Sequence, residues 1–459
     1  MIAMQLSETA KVLGARHVGA DSDFRGVSTD TRTLERGNLF VALEGPRYDG
    51  HEYLEQARAG GAAGAAVTCR SAVQLSQLVV DDTRVALGRL AAHWRSRFTL
   101  PVIGITGSNG KTTVKEMTAA ILGGFGAVLA TRGNLNNDIG VPLTLFGLDG
   151  DHRAAVIEMG ANHSGEIAYL ADMACPTVGV VTNAGPAHLE GFGTLEGVAR
   201  AKGELFGSLA DDGVAVINAD DPYASLWRQL AGGRRVIDFG LEQPAAVSAD
   251  WEPTEQGSRL ALRSPWGVVE LQLAVAGRHN VLNALAAAAA ALAADATLDQ
   301  VRTGLQAVRA VSGRLSLRIR QDGLTIIDDT YNANPASLDA ALQVLAQRSG
   351  DAWVVLGDMA ELGADAAGLH GQMGERIRHA GVSRLYTLGS LAAHAAEEFG
   401  AGAEAFRSME SLLAALSAAA VPPLAVLVKG SRRMGMERVV AALLSGSDPA
   451  EMIPEGHRH

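Results

Sequence analysis

The chain has 459 residues, of which 47% are hydrophobic and 19% are charged, a balance typical of a soluble enzyme and not of a disordered chain. This length exceeds what one hydrophobic core organises and predicts about three domains. The net charge of −11 argues against general affinity for nucleic acid or anionic membranes, and the two distant cysteines, Cys69 and Cys175, argue against a disulfide framework or a cysteine-built zinc site.

The sequence predicts neither a targeting segment nor a membrane span. No basic segment followed by an apolar run opens the chain, so no signal peptide is predicted. The longest apolar stretch, 281–294, is too short to cross a bilayer. We therefore predict a cytoplasmic monomer whose partners are small molecules, not nucleic acid or membrane.

The first block, 1–99, alternates short apolar runs with helical stretches, which predicts a small α/β domain. Strands are predicted at 38–43, 64–68 and 77–80, and a helix at 86–98. A turn-rich, charged segment, 44–51, predicts a ligand-facing loop. Leu100-Pro101 breaks the helix and predicts a domain boundary.

The second block, 100–311, opens with a predicted strand at 102–106. Apolar runs then recur between amphipathic helices at 127–130, 154–157, 178–182, 214–218 and 235–239. Such runs predict a mostly parallel sheet with helices on both faces. Strand-like alternation at 259–275 and a helix at 280–294 follow.

The third block, 312–459, predicts a smaller, Rossmann-like doubly wound domain. Its apolar runs alternate with helices and lie at 324–327, 353–356, 384–388 and 424–428. The fold class expected for the whole chain is therefore α/β.

A glycine-rich loop joins the strand 102–106 to a predicted helix at 114–122. Gly107 and Gly110 allow backbone N–H groups to turn towards an anion, and the helix N-terminus adds positive charge. Lys111 can reach the β- and γ-phosphates of a nucleotide, and the Thr112 hydroxyl can bind Mg²⁺. The general pattern has a glycine where this chain has Ile105. A glycine-rich turn that only caps a helix would not explain Lys111.

The loop departs from the general pattern as the loops of Mur ligases do, and the chain is similar to that family over essentially its whole length. The other motifs that carry the resemblance follow in the family's order: GNLNNDIG (133–140), EMGANH (158–163), TNAGPAH (182–188), AKGE (201–204), GRHNVLN (277–283), SGR (312–314), DDTYNANP (328–335) and KGS (429–431).

The resemblance implies a UDP-substrate domain at 1–99, a central ATPase domain at 100–311 and a C-terminal Rossmann-like domain at 312–459. It implies an ATP- and Mg²⁺-dependent ligase that activates a carboxylate as an acyl phosphate. The stretches 132–138, 357–363 and 428–432 resemble the branch that adds D-alanyl-D-alanine to a UDP-N-acetylmuramoyl tripeptide. The Asp-Asn-Pro-Arg signature of the preceding, diaminopimelate-adding branch is not found.

The resemblance also implies two metal positions. Glu158 follows an apolar strand and is expected beside the phosphate loop, where with Thr112 it would hold the nucleotide's magnesium; a helix-capping role is the alternative. His188 and Lys202 are implied at a second magnesium, Lys202 as a carbamate. By residue type alone, a single histidine is equally well structural, and a helical lysine is usually solvated.

The remaining implied contacts concern the nucleotide and the UDP substrate. Nucleotide binding is expected from the whole loop, Gly107, Ser108, Asn109, Gly110, Lys111, Thr112 and Thr113, and from Asn280, Asn283, Arg314 and Asp329. Arg314 would contact the γ-phosphate, and Asp329 would accept from the ribose hydroxyls. STDTR (28–32) and FVALEG (40–45) match the family's uridine diphosphate region, where Thr31 and Arg32 are the expected contacts. A turn held by an Asp–Arg pair would look the same.

Three other functions are alternatives to the ligase. Another family member, such as the preceding cell-wall ligase or a folylpolyglutamate synthase, is the nearest alternative, and the match to a UDP site argues against folate. A phosphate-loop switch or motor would have no use for three domains or for the pair of His188 and Lys202. A non-catalytic nucleotide-binding module would not need Lys111, Thr112 and Glu158 together.

Overall fold

The computed structural model describes residues 1–46, 48–186, 189–254, 257–363 and 365–445. They form three consecutive α/β units, each built on its own main sheet. Within these ranges, no helix has both the length and the apolar character that crossing a bilayer requires.

The first unit is a small mixed sheet in the order β2-β9-β8-β5-β4, in which only the β2–β9 pair is antiparallel. Its elements are β1 (Ala3–Gln5), α1 (Leu6–Leu13), β2 (Arg16–Val18), β3 (Asp23–Arg25), β4 (Val27–Ser28), β5 (Leu39–Val41), β6 (Glu44–Gly45), β7 (Tyr48–Asp49), α2 (Leu54–Ala59), β8 (Gly64–Val67), β9 (Gln77–Val79) and α3 (Thr83–Arg95).

Helix α3 begins and ends three residues before the predicted bounds of 86–98. The Asp82 side chain accepts from the backbone N–H groups of Arg84 and Val85, which satisfies free donors of the first turn and starts the helix there. The helix buries Leu87, Leu90 and Trp94 and packs on two helices of the second unit, so the first two units share a hydrophobic core.

The second unit is a parallel sheet in the order β11-β12-β10-β13-β14-β15, followed by an antiparallel sheet in the order β16-β17-β18. Its elements are β10 (Val102–Thr106), α4 (Lys111–Leu122), β11 (Ala127–Ala130), α5 (Gly140–Leu145), β12 (His152–Glu158), α6 (Glu166–Ala174), β13 (Val178–Val181), α7 (Leu189–Phe192), α8 (Leu195–Gly207), β14 (Val214–Asn218), α9 (Ala224–Ala231), β15 (Arg235–Phe239), β16 (Ser248–Thr254), β17 (Gly257–Ser264), β18 (Gly267–Leu273), α10 (Arg278–Ala293) and α11 (Leu298–Ala307).

Strand β10 lies between β12 and β13, so the carboxyl ends of three parallel strands meet where the glycine-rich loop leaves the sheet. In the register, Ile105 is opposite Glu158 on one side and Val180 on the other. Helix α10 covers this sheet and packs on α4, and its buried alanines, 286–291, allow close approach. Ligands of open α/β sheets bind at such a point.

The third unit is a sheet in the order β19-β20-β24-β21-β22-β23, parallel except for the β19–β20 pair. Its elements are β19 (Ser316–Ile319), β20 (Thr325–Asp329), α12 (Pro335–Leu345), β21 (Asp351–Gly357), α13 (Ala366–His379), β22 (Arg384–Leu388), α14 (Ala392–Phe399), β23 (Ala403–Phe406), α15 (Met409–Ala419), β24 (Leu424–Lys429) and α16 (Glu437–Ser445). The doubly wound α/β architecture predicted for this block is confirmed.

Candidate active site

A cavity of about 920 Å³ opens at the carboxyl ends of the central sheet. All three units line it: Arg84 from the first, the segment 108–113 from the second, and the segment 313–315 from the third. It therefore has room for more than one ligand, and the elements that enclose it come from all three units.

The glycine-rich loop lies on the cavity wall and leads directly into α4. Gly107 and Gly110 have φ values of +143° and +83°, which side chains other than glycine rarely adopt. A Cβ at Gly107 would collide with the Thr182 hydroxyl, and one at Gly110 with the Asn283 amide. Both glycines are thus required by conformation and by close packing.

The strand end at 182–185 holds the loop in shape. The Asn109 N–H donates to Asn183 Oδ1 (3.0 Å), and the Asn109 carbonyl accepts from Thr182 Oγ1 (2.6 Å) and Asn183 Nδ2 (3.0 Å). Ser108 Oγ donates to the Gly185 carbonyl (3.0 Å) and accepts from the Gly185 N–H (2.9 Å). The loop is therefore preorganised by the sheet.

Lys111 folds back over the loop. Its Nζ donates to the carbonyls of Gly107 (2.6 Å) and Ser108 (3.3 Å), and no carboxylate of the described chain lies within ion-pair distance of it. Burial lowers the pKa of Lys111, the negative charge of Glu158 opposes this shift, and the positive charge of Arg314 adds to it. An anion at the loop would relieve both unfavourable effects.

Glu158 is buried beside the start of α4. Its Oε2 accepts from Thr112 Oγ1 (2.8 Å), and its Oε1 accepts from Asn136 Nδ2 (2.8 Å). Its exposure is 2%, so the carboxylate needs these partners or a cation. A hydroxyl and one carboxylate next to a phosphate site fit Mg²⁺, which keeps several waters and takes its other ligands from phosphates. Among the described residues, no three acidic, histidine or cysteine side chains cluster as a metal site, here or elsewhere.

Asn280 and Asn283 lie one turn apart in the first turns of α10. Asn283 Nδ2 donates to Asn280 Oδ1 (3.2 Å), Asn280 Nδ2 donates to the Ala276 carbonyl (2.8 Å), and Asn283 packs on Gly110. His279 beside them also lines the cavity, and burial, with a smaller effect of Lys429, lowers its pKa to about 4. The histidine is therefore neutral at physiological pH.

Arg314 and Asp329 reach the cavity from the third unit. The Arg314 guanidinium lies 4.1 Å from the centroid of the Tyr331 ring. Asp329 forms a buried ion pair with Lys429 and accepts from the Leu315 N–H (3.2 Å). Both predicted residues line the cavity, but the Asp329 carboxylate is largely engaged by protein donors.

Lys202 lies in α8 behind the cavity wall, with 2% exposure. Its Nζ donates to the Ala161 carbonyl (3.3 Å) and lies 5.2 Å from the centroid of the Phe192 ring. Burial and, to a smaller extent, Lys111 lower the Lys202 pKa to about 7, against the opposing charges of Glu166 and Glu204. About half of this lysine is therefore a neutral amine near pH 7.

Among the described residues, four of the predicted ones do not line the cavity: Gly107, Lys202, Thr31 and Arg32. His188 lies outside the described residues. Arg32 forms a side-chain ion pair with Asp30 (2.6 Å), and Thr31 Oγ1 donates to Gln56 Oε1 (3.3 Å), and neither lines the cavity. An Asp–Arg turn, the alternative weighed for this segment, is thus present, and the uridine diphosphate contacts stay a prediction.

Three polar residues that were not singled out individually from the sequence also support the site. Asn136 holds Glu158, Lys429 pairs with Asp329, and Asn334 Nδ2 donates across the units to Asn109 Oδ1 (2.8 Å). All three lie inside quoted motifs, and Lys429 ends a parallel strand. Polar residues at the carboxyl ends of strands are the signal that marks such positions.

Family models match three segments of the chain. Residues 23–95 match "Mur ligase family, catalytic domain", residues 105–291 match "Mur ligase middle domain", and residues 313–432 match "Mur ligase, glutamate ligase domain". Together these segments cover most of the chain.

Individual proteins are similar over nearly the full length. The UDP-N-acetylmuramoyl-tripeptide–D-alanyl-D-alanine ligase of Escherichia coli is 44% identical over 96% of this chain and 99% of its own. A crystal structure of MurF from Acinetobacter baumannii superposes with a TM-score of 0.92 at 36% identity, covering 97% of this chain and 99% of that one. The MurF ligase of Thermotoga maritima, solved in complex with ADP, gives a TM-score of 0.84 at 27% identity, covering 92% and 97%.

Proposed function

The chain belongs to the Mur ligase family, and we propose that it joins D-alanyl-D-alanine to a UDP-N-acetylmuramoyl tripeptide at the cavity between its three units. It is an ATP-dependent ligase of peptidoglycan precursor synthesis that forms an amide bond. The observation that supports the proposal for these substrates is the cavity itself, which reaches from the phosphate loop to Arg84 of the first unit.

The reaction needs an activated carboxyl group, because a carboxylate does not react with an amine in water. An oxygen of the tripeptide carboxylate attacks the γ-phosphorus of ATP, the bond to the bridging oxygen breaks, and ADP leaves. The uncharged amine of D-alanyl-D-alanine then attacks the acyl carbon, the nitrogen loses one proton, and the C–O bond to inorganic phosphate breaks as the tetrahedral intermediate collapses to the amide. The first step brings an anion towards a polyanion, so its main barrier is electrostatic.

The loop and its neighbours are placed to lower this barrier. The backbone of 107–113 and the N-terminus of α4 bind the phosphates. Lys111 gives up its hydrogen bonds to the loop carbonyls and donates instead to β- and γ-phosphate oxygens. Arg314 approaches the γ-phosphate. Magnesium held by Thr112 and Glu158 would supply further positive charge at the phosphates. Asn280 and Asn283 support the nucleotide side of the cavity.

Lys202, together with His188, is proposed at the second magnesium. The neutral amine of Lys202 can attack CO₂ to form a carbamate, with loss of one proton, and this converts a buried cation into an anion. The lowered pKa of about 7 supports the proposal because only the neutral amine reacts.

The third unit completes the nucleotide site. Asn334, at the N-terminus of α12, contacts the loop residue Asn109, and Arg314 and Asp329 lie on the same cavity wall. We propose that closure of this unit brings Arg314 to the γ-phosphate and excludes water. Thr31 and Arg32 are proposed to contact the uridine diphosphate at the opposite end, in the first unit.

The substrates are tested by phosphate release across a panel of UDP-muramoyl peptides and amine acceptors. Phosphate release is expected only when a UDP-N-acetylmuramoyl tripeptide and D-alanyl-D-alanine are both present. N-acetyl-D-alanyl-D-alanine is the matched control and is expected to be inert, since its nitrogen lone pair is delocalised into the acyl group.

Two outcomes of the panel contradict the proposal. Extension of a UDP-muramoyl dipeptide by a single amino acid, with D-alanyl-D-alanine ignored, would assign the chain to another member of the family. ATP hydrolysis that needs neither organic substrate would indicate a phosphate-loop NTPase.

Glu158→Gln is expected to raise the Mg²⁺ concentration for half-maximal activity by about tenfold or more, the ratio that corresponds to about 1.4 kcal/mol of binding. Glutamine keeps the size and an oxygen near Thr112 but removes the charge. Activity is titrated with Mg²⁺ at fixed ATP. Glu116→Gln, which changes an exposed carboxylate on the helix that carries Thr112, is the control, and an equal shift in both variants would exclude a metal role for Glu158.

A further inference from the structure

Some cationic side chains of the cavity wall form an ion pair with a carboxylate, and others do not. Arg84 pairs with Asp138 (2.7 Å), and Lys429 pairs with Asp329. Arg314 has no ion-pair partner among the residues described, and its Nε is buried without a hydrogen-bond partner. Its guanidinium is thus free to bind an anion, but no hydrogen bond determines its direction.

The Arg314 guanidinium does contact one side chain, the ring of Tyr331. The Arg314 Cζ lies 4.1 Å from the ring centroid, the distance of a guanidinium stacked on an aromatic face. A second guanidinium, that of Arg432, lies 5.9 Å from the same ring but is exposed and near Glu437 (3.5 Å). Only Arg314 of these two lines the cavity.

Backbone hydrogen bonds hold the segment of Arg314 next to that of Tyr331. The Tyr331 N–H donates to the Gly313 carbonyl (3.0 Å), and the Leu315 N–H donates to Asp329 Oδ1 (3.2 Å), so both neighbours of Arg314 are tied to the end of β20. Gly313 and Leu315 have φ values of +74° and +53°. This segment therefore places Arg314 against Tyr331 at the junction of the second and third units.

We propose that Tyr331 is a positioning residue: its ring orients the Arg314 guanidinium towards the terminal phosphate of the bound nucleotide. The inference rests on the proposed function only in taking ATP as the nucleotide. Although Tyr331 itself lines the cavity, the proposed effect of its ring on phosphate binding is exerted through Arg314. Recognition of the third phosphate thus depends on an aromatic side chain that need not touch it.

The position of Arg314 relative to the phosphate loop supports this arrangement. The Arg314 charge is close enough to Lys111 to disfavour the ammonium form of that lysine. Two partly buried cations that face one cavity repel each other until an anion lies between them. The γ-phosphate of ATP supplies that anion, whereas ADP leaves the position empty.

The test compares affinity for a non-hydrolysable ATP analogue with affinity for ADP, both by calorimetry on the full chain. Tyr331→Leu is expected to weaken binding of the ATP analogue about three- to tenfold, the range for one partly desolvated cation–π contact, and to change ADP binding less than about twofold. Tyr331→Phe keeps the ring and is expected to restore the preference for ATP. In an Arg314→Met background, Tyr331→Leu is expected to have no further effect.

Trp266→Leu is the matched control, because it removes an exposed ring that stacks with Arg235 (5.7 Å) away from the cavity. It is expected to leave both affinities unchanged, and thermal unfolding of every variant checks the fold. Equal weakening of ATP-analogue and ADP binding by Tyr331→Leu would mean that the ring contacts the nucleoside. No change in either would mean that Arg314 is oriented without the ring, and both results overturn the inference. If ATP consumption proved independent of the two organic substrates, the proposed function would be wrong. The comparison of ATP-analogue and ADP binding would still test the role of Tyr331.

Discussion

Lys111→Ala is expected to lower turnover by at least about 10²–10³-fold, the usual cost of removing one preorganised group that stabilises developing charge in a transition state. Lys111 lies where the loop meets α4, and within the described part of the chain its ammonium donates only to the loop carbonyls of Gly107 and Ser108. In the nucleotide complex we expect it to neutralise the β- and γ-phosphates. Phosphate release with all three substrates measures the effect.

The fold is expected to survive this change. Asn183, Thr182 and Gly185 hold the loop independently of the lysine, so circular dichroism and the thermal midpoint should stay close to those of the parent protein. Lys11→Ala, which removes an exposed charge in the first unit, is the control for loss of a lysine. Near-normal turnover of Lys111→Ala would show that ATP does not react at this loop.

Lys202→Ala is expected to be almost inactive, with a loss on the order of 10²-fold or more, because a charged group at the reacting phosphates is lost. Short carboxylic acids such as acetate are expected to restore part of the activity by filling the vacated anionic position. Lys202→Met fills the same volume with an apolar chain, so it should be equally inactive and resist rescue. Rescue of both variants to the same extent would contradict a carbamate at Lys202.

The carbamate itself has a pH dependence that follows from the lysine pKa. Because the pKa is lowered to about 7, the reactive amine is scarce well below pH 7 and predominates well above it. At constant dissolved CO₂, the carbamate is therefore expected to increase as pH rises through 7. Carbon-13 NMR with labelled CO₂ measures it, with Lys202→Ala as the blank. A signal that is absent from the parent protein at high pH would refute the modification.

The sequence predicted the central sheet almost to the residue. The apolar runs at 102–106, 127–130, 214–218 and 235–239 coincide with β10, β11, β14 and β15. Buried parallel strands read as continuous apolar segments, so local composition is enough to locate them. Helix starts were less accurate: α4 begins at Lys111 and not at 114, because the glycine-rich loop leads straight into the first helical turn.

The candidate site was predicted in part. The loop, Thr112, Glu158, Asn280, Asn283, Arg314 and Asp329 lie together around one cavity, and their proposed roles remain to be tested. The partners of these residues were not predicted. Arg32 pairs with its neighbour Asp30, a contact that residue spacing alone could not distinguish from a ligand site.

The sequence by itself determined the fold class and the family and predicted the chemistry of the phosphate loop, because each apolar run or motif consists of residues close together in the chain. The order of the strands and the packing of the units decided which distant residues meet at the site. Insertion of β24 between β20 and β21 places Lys429 opposite Asp329, although 100 positions separate them. Packing of the third unit on the second brings Asn334 to Asn109, 225 positions away. Burial of Lys202 behind the cavity wall lowers its pKa, since removing water disfavours an ammonium whatever its neighbours in sequence are.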